Sequence, residues 1–251
     1  MSATVTVLGR YGAFPAPGGA GRGLLLGGGP PVLVGCGSGV AARLHHHLAD
    51  PGVPEAVLLP DLRPDHCSDL WSVGSAAAAA ARAGRRRGLL VTYAYGRPAA
   101  AWQALHRPGV LDVRRFAVGD AVRCGGWSFR FAELEHPWPT LAVRAEAPDG
   151  GVLALVGPGR PGPEAAGLCA GAGLLVVDVG GPRDDDEGLD GGMEPAEAGA
   201  LASRCGAGGL LLFHLHPPES PAAALAAAAA AFPGAALALE GRTYDLPPAR
   251  A

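Results

Sequence analysis

The chain has 251 residues, 40 of them Gly and 24 Pro; 49% are hydrophobic, 17% are charged and the formal net charge is -3. Gly and Pro at about a quarter touch the low-complexity range, but this apolar fraction and small charge exclude a disordered chain, which must fail to bury enough surface to offset its ordering entropy. All 20 basic residues are Arg, read as the mark of a genome rich in G and C, and against 23 acidic residues they give no global field for nucleic acid or an anionic membrane.

Thr4 to Leu8 alternates polar and apolar residues, the period of a half-buried strand, and the N-terminus lacks the basic region and long apolar core of a signal peptide. After the turn-rich stretch Gly9 to Gly23, Leu24 to Leu26 and Val32 to Val34 read as a hairpin around Gly27 to Pro31. The turn Gly35-Cys36-Gly37-Ser38-Gly39 then opens a helix over Val40 to Leu48, with Ser38 as the expected N-cap. Ala56 to Leu59 is a short apolar run that stops at Pro60, the sign of a buried strand. The polar loop Asp61-Leu62-Arg63-Pro64-Asp65-His66 follows it, and loops at the ends of buried strands are where α/β proteins place their chemistry.

Further on, Ser75 to Ala83 reads as an Ala-rich helix, Leu89 to Thr92 as a strand and Ala99 to His106 as a helix. Val122 to Leu134 reads as two strands broken at Gly125-Gly126, followed by strands over Leu141 to Ala145, Val152 to Val156 and Gly173 to Val179. Pro195 to Arg204 is a helix, Leu210 to Phe213 a strand ending in His214-Leu215-His216, Ala222 to Phe232 the closing helix and Ala236 to Leu239 a last short strand. No apolar tract approaches the roughly 20 residues of a membrane span. The five cysteines are odd in number and form no C-x-x-C pair, which argues against a disulfide framework and a structural zinc ribbon and suits a reducing cytoplasm.

Several local strings in this order resemble the metallo-β-lactamase fold, in the branch that includes ribonuclease Z and related phosphodiesterases. They are Leu8-Gly9 with its loop through Gly19, the Gly35 to Gly39 turn, the Asp61 to His66 loop, His136, Val156-Gly157-Pro158, and Leu211 to Leu215. The resemblance implies a single α/β domain over residues 1–251, a four-layer αββα sandwich with a metal site along one edge. The family's loop is H-x-H-x-D-H. Here its six positions hold Asp61, Leu62, Arg63, Pro64, Asp65 and His66, so two ligand histidines are missing. The bridging carboxylate of the family would fall at Pro158, and the histidine of a ribonuclease-type H-x-T motif at Gly192.

Sorted by metal, one family site keeps only His136, while the other keeps Asp65, His66 and His214, a two-histidine, one-carboxylate set that suits one zinc, iron or manganese ion. The cofactor is therefore a single ion or none. Arg63 stays protonated and cannot ligate a metal, so an ion pair between Arg63 and Asp61 is expected in place of the missing ion. Two functions follow from the resemblance. One is a degenerate, at most mononuclear hydrolase of an ester or phosphodiester, with Asp65, His66 and His214 on the metal and His136 or Asp61 as proton acceptor. The other is a metal-free pseudoenzyme that binds a small ligand or a protein. A small molecule is the expected partner, with a homodimer left open and no nucleic acid or membrane signalled.

Other motifs carry blander readings. His45-His46-His47 are consecutive on a helix and cannot chelate one ion together. Arg82 and Arg85 to Arg87 read as a wet helix end, and Asp184 to Glu187 as a solvated loop. Cys67 reads as a small buried hydrophobe rather than a nucleophile, His216 is a backup to His214, and no string matches a P-loop or dinucleotide fingerprint.

Overall fold

The computed structural model describes residues 2–13, 15–50, 52–179, 192–215 and 220–247. The first half of the chain runs β1 (Thr4–Gly9), β2 (Gly23–Gly27), β3 (Val32–Val34), α1 (Val40–His47), β4 (Ala56–Leu59), α2 (Pro64–Cys67), α3 (Leu70–Arg82), β5 (Leu90–Tyr95), α4 (Ala99–Ala104) and β6 (Leu111–Phe116). The second runs β7 (Val122–Cys124), β8 (Trp127–Glu135), β9 (Leu141–Glu146), β10 (Val152–Val156), β11 (Arg160–Pro161), α5 (Pro163–Leu168), β12 (Leu174–Asp178), α6 (Pro195–Arg204), β13 (Leu210–Phe213), α7 (Pro221–Ala231), β14 (Ala235–Leu237) and β15 (Thr243–Asp245).

The first sheet has the order β15-β1-β2-β3-β4-β5-β6; the second has β11-β8-β9-β10-β12-β13-β14, with β7 on β8. Both sheets mix hairpins with parallel crossovers. β1 to β3 meander antiparallel while β3 to β6 run parallel, and β8 to β10 meander while β10, β12, β13 and β14 run parallel.

The period-2 alternation of the strands sorts their side chains into layers. Val5, Val7, Leu24, Leu26, Val32 and Val34 of the first sheet pack with Phe129, Phe131, Val143, Leu153, Leu155 and Val176 of the second in one central core. The residues between them point the other way. Leu25, Leu33, Val57 and Leu59 meet Val40, Leu44, Leu70 and Val73 of α1 and α3, and Leu175, Val177 and Leu212 meet Ala165, Leu201 and Ala228 of α5, α6 and α7. The result is the expected αββα sandwich. Among the described residues no helix is long and apolar enough to cross a membrane.

Local expectations were met unevenly. Ser38 does not cap α1. Gly39 takes that place at φ 84°, a left-handed conformation that glycine adopts without penalty, and no side chain caps the helix. The arginines after α3 tie down backbone: Arg85 pairs with Asp50 at 2.6 Å, and Arg86 donates to the carbonyls of Pro54, Glu55 and Leu89. His45, His46 and His47 occupy the last turn of α1. Asp184 to Glu187 and His216 lie outside the described residues.

Candidate metal centre

The polar loop after β4 is organised by Pro64. Its ring fixes the first position of α2 and forces Arg63 into extended backbone, so the single turn that follows presents Asp65 and His66 together. The glycine-rich turn after β3 packs against this loop. Cys36 N donates to the His66 carbonyl at 2.7 Å, and a Cβ on Gly37 would stand 2.1 Å from the Asp65 carbonyl oxygen. The Gly35 to Gly39 turn is thus a close-packing platform beneath the loop.

Three more elements deliver residues to the same place. β13 is followed directly by His214, whose φ of 66° puts a residue other than glycine in the left-handed region; its amide donates to the Arg10 carbonyl at 2.7 Å. Such conformations cluster at functional sites, where the surrounding structure holds the strain. β12 ends at Asp178, and Arg22, just before β2, hydrogen-bonds Asp178 across the gap between the sheets. Asp61, Arg63, His66, Asp178, His214 and Arg22 are each no more than 4% exposed, so each charge must be answered by a neighbour.

His66 is the hub. Its Nδ1 lies 2.5 Å from Asp61 Oδ2, its Nε2 2.9 Å from Arg63 Nη2 and 3.2 Å from Asp65 Oδ2, and its ring meets that of His214 edge to face at 5.6 Å. Arg63 also faces Asp61 (Nε to Oδ1, 3.6 Å), and its backbone amide donates to the same oxygen at 3.0 Å. Burial alone would push the Asp61 and Asp65 carboxyls up, but the charge of His66, then that of Arg63, outweighs it and holds both well below the usual carboxylate range. Burial pushes His66 down, yet Asp61 and Asp65 together raise it above the ordinary imidazole value. Asp178 is the opposite case: burial wins over the charges of Arg22 and His66, and its carboxyl is raised.

Asp65, His66 and His214 each offer a ligand atom, and the three atoms lie within 4.8 Å of one another. Asp61 stands behind His66, accepting from Nδ1, the arrangement by which a carboxylate orients a metal-ligating imidazole; Nε2, the nitrogen that would face an ion, lies 2.9 Å from Arg63 Nη2 and would have to exchange that contact for the metal. Asp178 stands behind His214, with Oδ2 3.8 Å from Nδ1, and its Oδ1 is a buried oxygen without a hydrogen-bond partner. These residues fit one divalent ion. Arg63, by contrast, puts a guanidinium, which cannot ligate a metal, beside His66.

His136 is not part of that three-residue group. Its Nδ1 lies 2.9 Å from the Trp138 carbonyl and 3.0 Å from the Trp138 amide, and the residue lines a dent of about 100 Å³ with Arg97, Glu133 and Thr140. Thr140 Oγ1 donates to the Pro158 carbonyl at 2.6 Å, so the segment after β10 contributes backbone there and no carboxylate. Cys67 Sγ lies 3.2 Å from the Arg63 carbonyl, and burial pushes its thiol up to about 12, which leaves no thiolate at neutral pH. Arg22 and Asp178 are the site residues that sequence reasoning missed. Only Asp178 carried a signal, an acid at the end of the apolar run Leu174 to Val179.

No family model matches the chain. The probable metallo-hydrolase YhfI of Bacillus subtilis is 28% identical over 217 residues, 84% of this chain and 86% of that protein. The uncharacterized protein Rv1339 of Mycobacterium tuberculosis is 27% identical over 248 residues, 93% and 88% of the two chains. Among solved structures, the metallo-β-lactamase fold protein YhfI superposes with a TM-score of 0.87 at 25% identity, covering 98% of this chain and 100% of that one. Human tRNase Z, short form, gives 0.73 at 18% identity, covering 97% and 99%, and a likeness at that identity bears on the fold alone. With its two face-to-face sheets, its outer helices and these likenesses, the chain belongs to the metallo-β-lactamase fold superfamily.

Proposed function

We propose that this chain is a hydrolase-like member of the superfamily that has lost the two-metal site and keeps one metal ion, held by Asp65, His66 and His214, for hydrolysis of an ester or phosphodiester. The observation that carries this reading is the position of Arg63. Its guanidinium has no lone pair to give, and it stands 2.9 Å from His66 Nε2, where it supplies a fixed positive charge in place of a second ion. The remaining set has the donor types of a zinc, iron or manganese site. A divalent ion there supplies Lewis acidity toward water and toward a carbonyl or phosphoryl oxygen.

The chain's own residues do the rest. Asp61 holds the His66 ring with Nδ1 as donor, which directs Nε2 toward the site. Asp178, anchored by Arg22, flanks His214. His136 or Asp61 is the proton acceptor of this reading, His136 being held by the backbone of its own loop beside the small dent and Asp61 lying against His66. The five free thiols fit a cytoplasmic setting.

A second reading is favoured by the charge balance of the same cluster. Arg22 and Arg63 answer Asp178 and Asp61, and His66 is held toward its charged form by Asp61 and Asp65, so the site is neutralised by protons and guanidinium groups alone. A metal-free module binding a small ligand or a protein would look the same. Elemental analysis of the purified chain after loading with zinc, iron or manganese separates the two. About one equivalent, lost in His66→Ala and kept in His45→Ala, supports the mononuclear site; less than about half an equivalent ends it in favour of the metal-free module, and two equivalents would overturn both.

A further inference from the structure

Cys169 and Cys205 are 36 positions apart in a chain whose cysteine spacing shows no pairing, yet they end neighbouring helices. Cys169 closes α5 and Cys205 closes α6. Backbone stitches the two ends together: Gly171 N donates to the Cys205 carbonyl at 2.7 Å, Ala172 N to the Cys169 carbonyl at 3.2 Å, and Gly208 N to the Ala172 carbonyl at 2.8 Å. The sulfurs sit beside consecutive carbonyl oxygens of α5, Cys169 Sγ 3.5 Å from that of Ala165 and Cys205 Sγ 3.5 Å from that of Ala166, which brings the two thiols to the same end of that helix.

The surroundings differentiate the pair. Cys169 is buried and Cys205 is half-buried. The neighbouring Cys169 thiol and the charge of Arg204 lower the Cys205 thiol from its ordinary value, while the Cys205 thiol and burial raise that of Cys169. The Arg144 guanidinium donates to the carbonyls of Leu168 and Ala170, on either side of Cys169. Low thiol pKa with partial exposure beside a second thiol is the environment of a reactive cysteine with a resolving partner. Cys36, Cys67 and Cys124 lack it, since burial raises all three.

We propose that Cys169 and Cys205 form a redox-active thiol pair that hydrogen peroxide closes into an intramolecular disulfide. Cys205, as thiolate, attacks one peroxide oxygen and breaks the O–O bond; hydroxide leaves, takes up a proton as water, and Cys205 becomes a sulfenic acid. Cys169 then displaces the sulfenic oxygen, forming the S–S bond and releasing a second water. Two thiols lose two electrons and two protons, and one peroxide is reduced to two waters. The bond would staple α5 to α6 on the outer face of the second sheet.

The test uses the full-length chain treated with hydrogen peroxide, alkylated and mapped by mass spectrometry without reduction. The intact mass should fall by two hydrogens, a peptide linking Cys169 to Cys205 should appear, and dithiothreitol should reverse both. At neutral pH Cys205 should alkylate about tenfold faster than Cys124 in the untreated protein, a measurement that needs no variant. In Cys169→Ser, dimedone should trap a sulfenic acid at Cys205. Absence of the linked peptide, linkage between chains instead of within one, or equal alkylation of Cys124 and Cys205 would overturn the proposal. None of these readouts depends on metal at the other site.

Discussion

Asp61 illustrates what a single charge does in this site. It is 2% exposed, and its carboxylate faces both His66 and Arg63, so its removal leaves two buried positive groups sharing fewer negative partners. Breaking a buried pair by deleting one partner costs about 3–5 kcal/mol, because the orphaned charge stays desolvated. Asp61→Asn, which keeps the shape, should therefore lose on the order of 3 kcal/mol in urea unfolding at neutral pH. The sign with pH follows from the depressed folded pKa: the carboxylate's contribution is present above its unfolded value near about pH 4 and fades as pH falls below that. The gap between wild type and variant should shrink in acid, and a gap that grew would contradict the ion-pair assignment. His66 and His214 were readable as site candidates by residue type, but the left-handed backbone that holds His214 was not, since it follows from the fit of β13 against the Arg10 segment.

Elements show a second kind of legibility. Ala56–Leu59, Pro195–Arg204 and Leu210–Phe213 form over the very residues that the sequence pattern indicates, because apolar runs bounded by Pro or Gly leave little freedom in where a buried strand or helix ends. β6 was missed, since Leu111 to Phe116 carries Asp112, Arg114 and Arg115 and lies at the end of its sheet, where both alternation and apolar runs dissolve. α5 was missed, since a six-residue helix that holds Pro163 and Gly167 shows no clear helical period. Two glycines make opposite predictions at this scale. A Cβ on Gly199 of α6 would stand 2.2 Å from the Ala228 carbonyl oxygen of α7, backbone that cannot swing aside, so Gly199→Ala should destabilise by about 1–3 kcal/mol despite alanine's better helix propensity. Gly167, inside α5, meets nothing within 4 Å, and Gly167→Ala should be neutral or stabilising by up to about 1 kcal/mol. Thermal unfolding of the pair checks both, and the same sign for both would refute the helix-contact account.

At the scale of the whole molecule, the central layer between the sheets joins apolar residues of both sheets in one core. Phe129 is fully buried there, among residues from both sheets. Phe129→Ala should cost about 3–5 kcal/mol, the sum of lost transfer energy and a cavity that strands on both sides cannot collapse to fill. Denaturant unfolding monitored by circular dichroism would measure it; a loss under about 1 kcal/mol would mean that the two sheets do not share this core. The same layer explains why the site sits where it does. Its residues come from the loops that leave the ends of β4, β12 and β13 and from the turn before β2, so the sandwich must close before the cluster exists.

Composition, alternation and turn residues determined on their own that this chain folds, that most of its strands and helices lie where they do, and that the Asp61 to His66 loop and His214 carry polar groups at strand ends. Those features are local, written in spacings of two to four residues. The tertiary structure alone decided that Arg22 reaches Asp178 from the other sheet, that Asp61 lies behind His66, and that the helix ends carrying Cys169 and Cys205 are joined by backbone hydrogen bonds. Each of these contacts depends on strands and helices far apart in sequence coming into register, and no local pattern encodes that, because the energy that fixes the register is spread over the whole buried core.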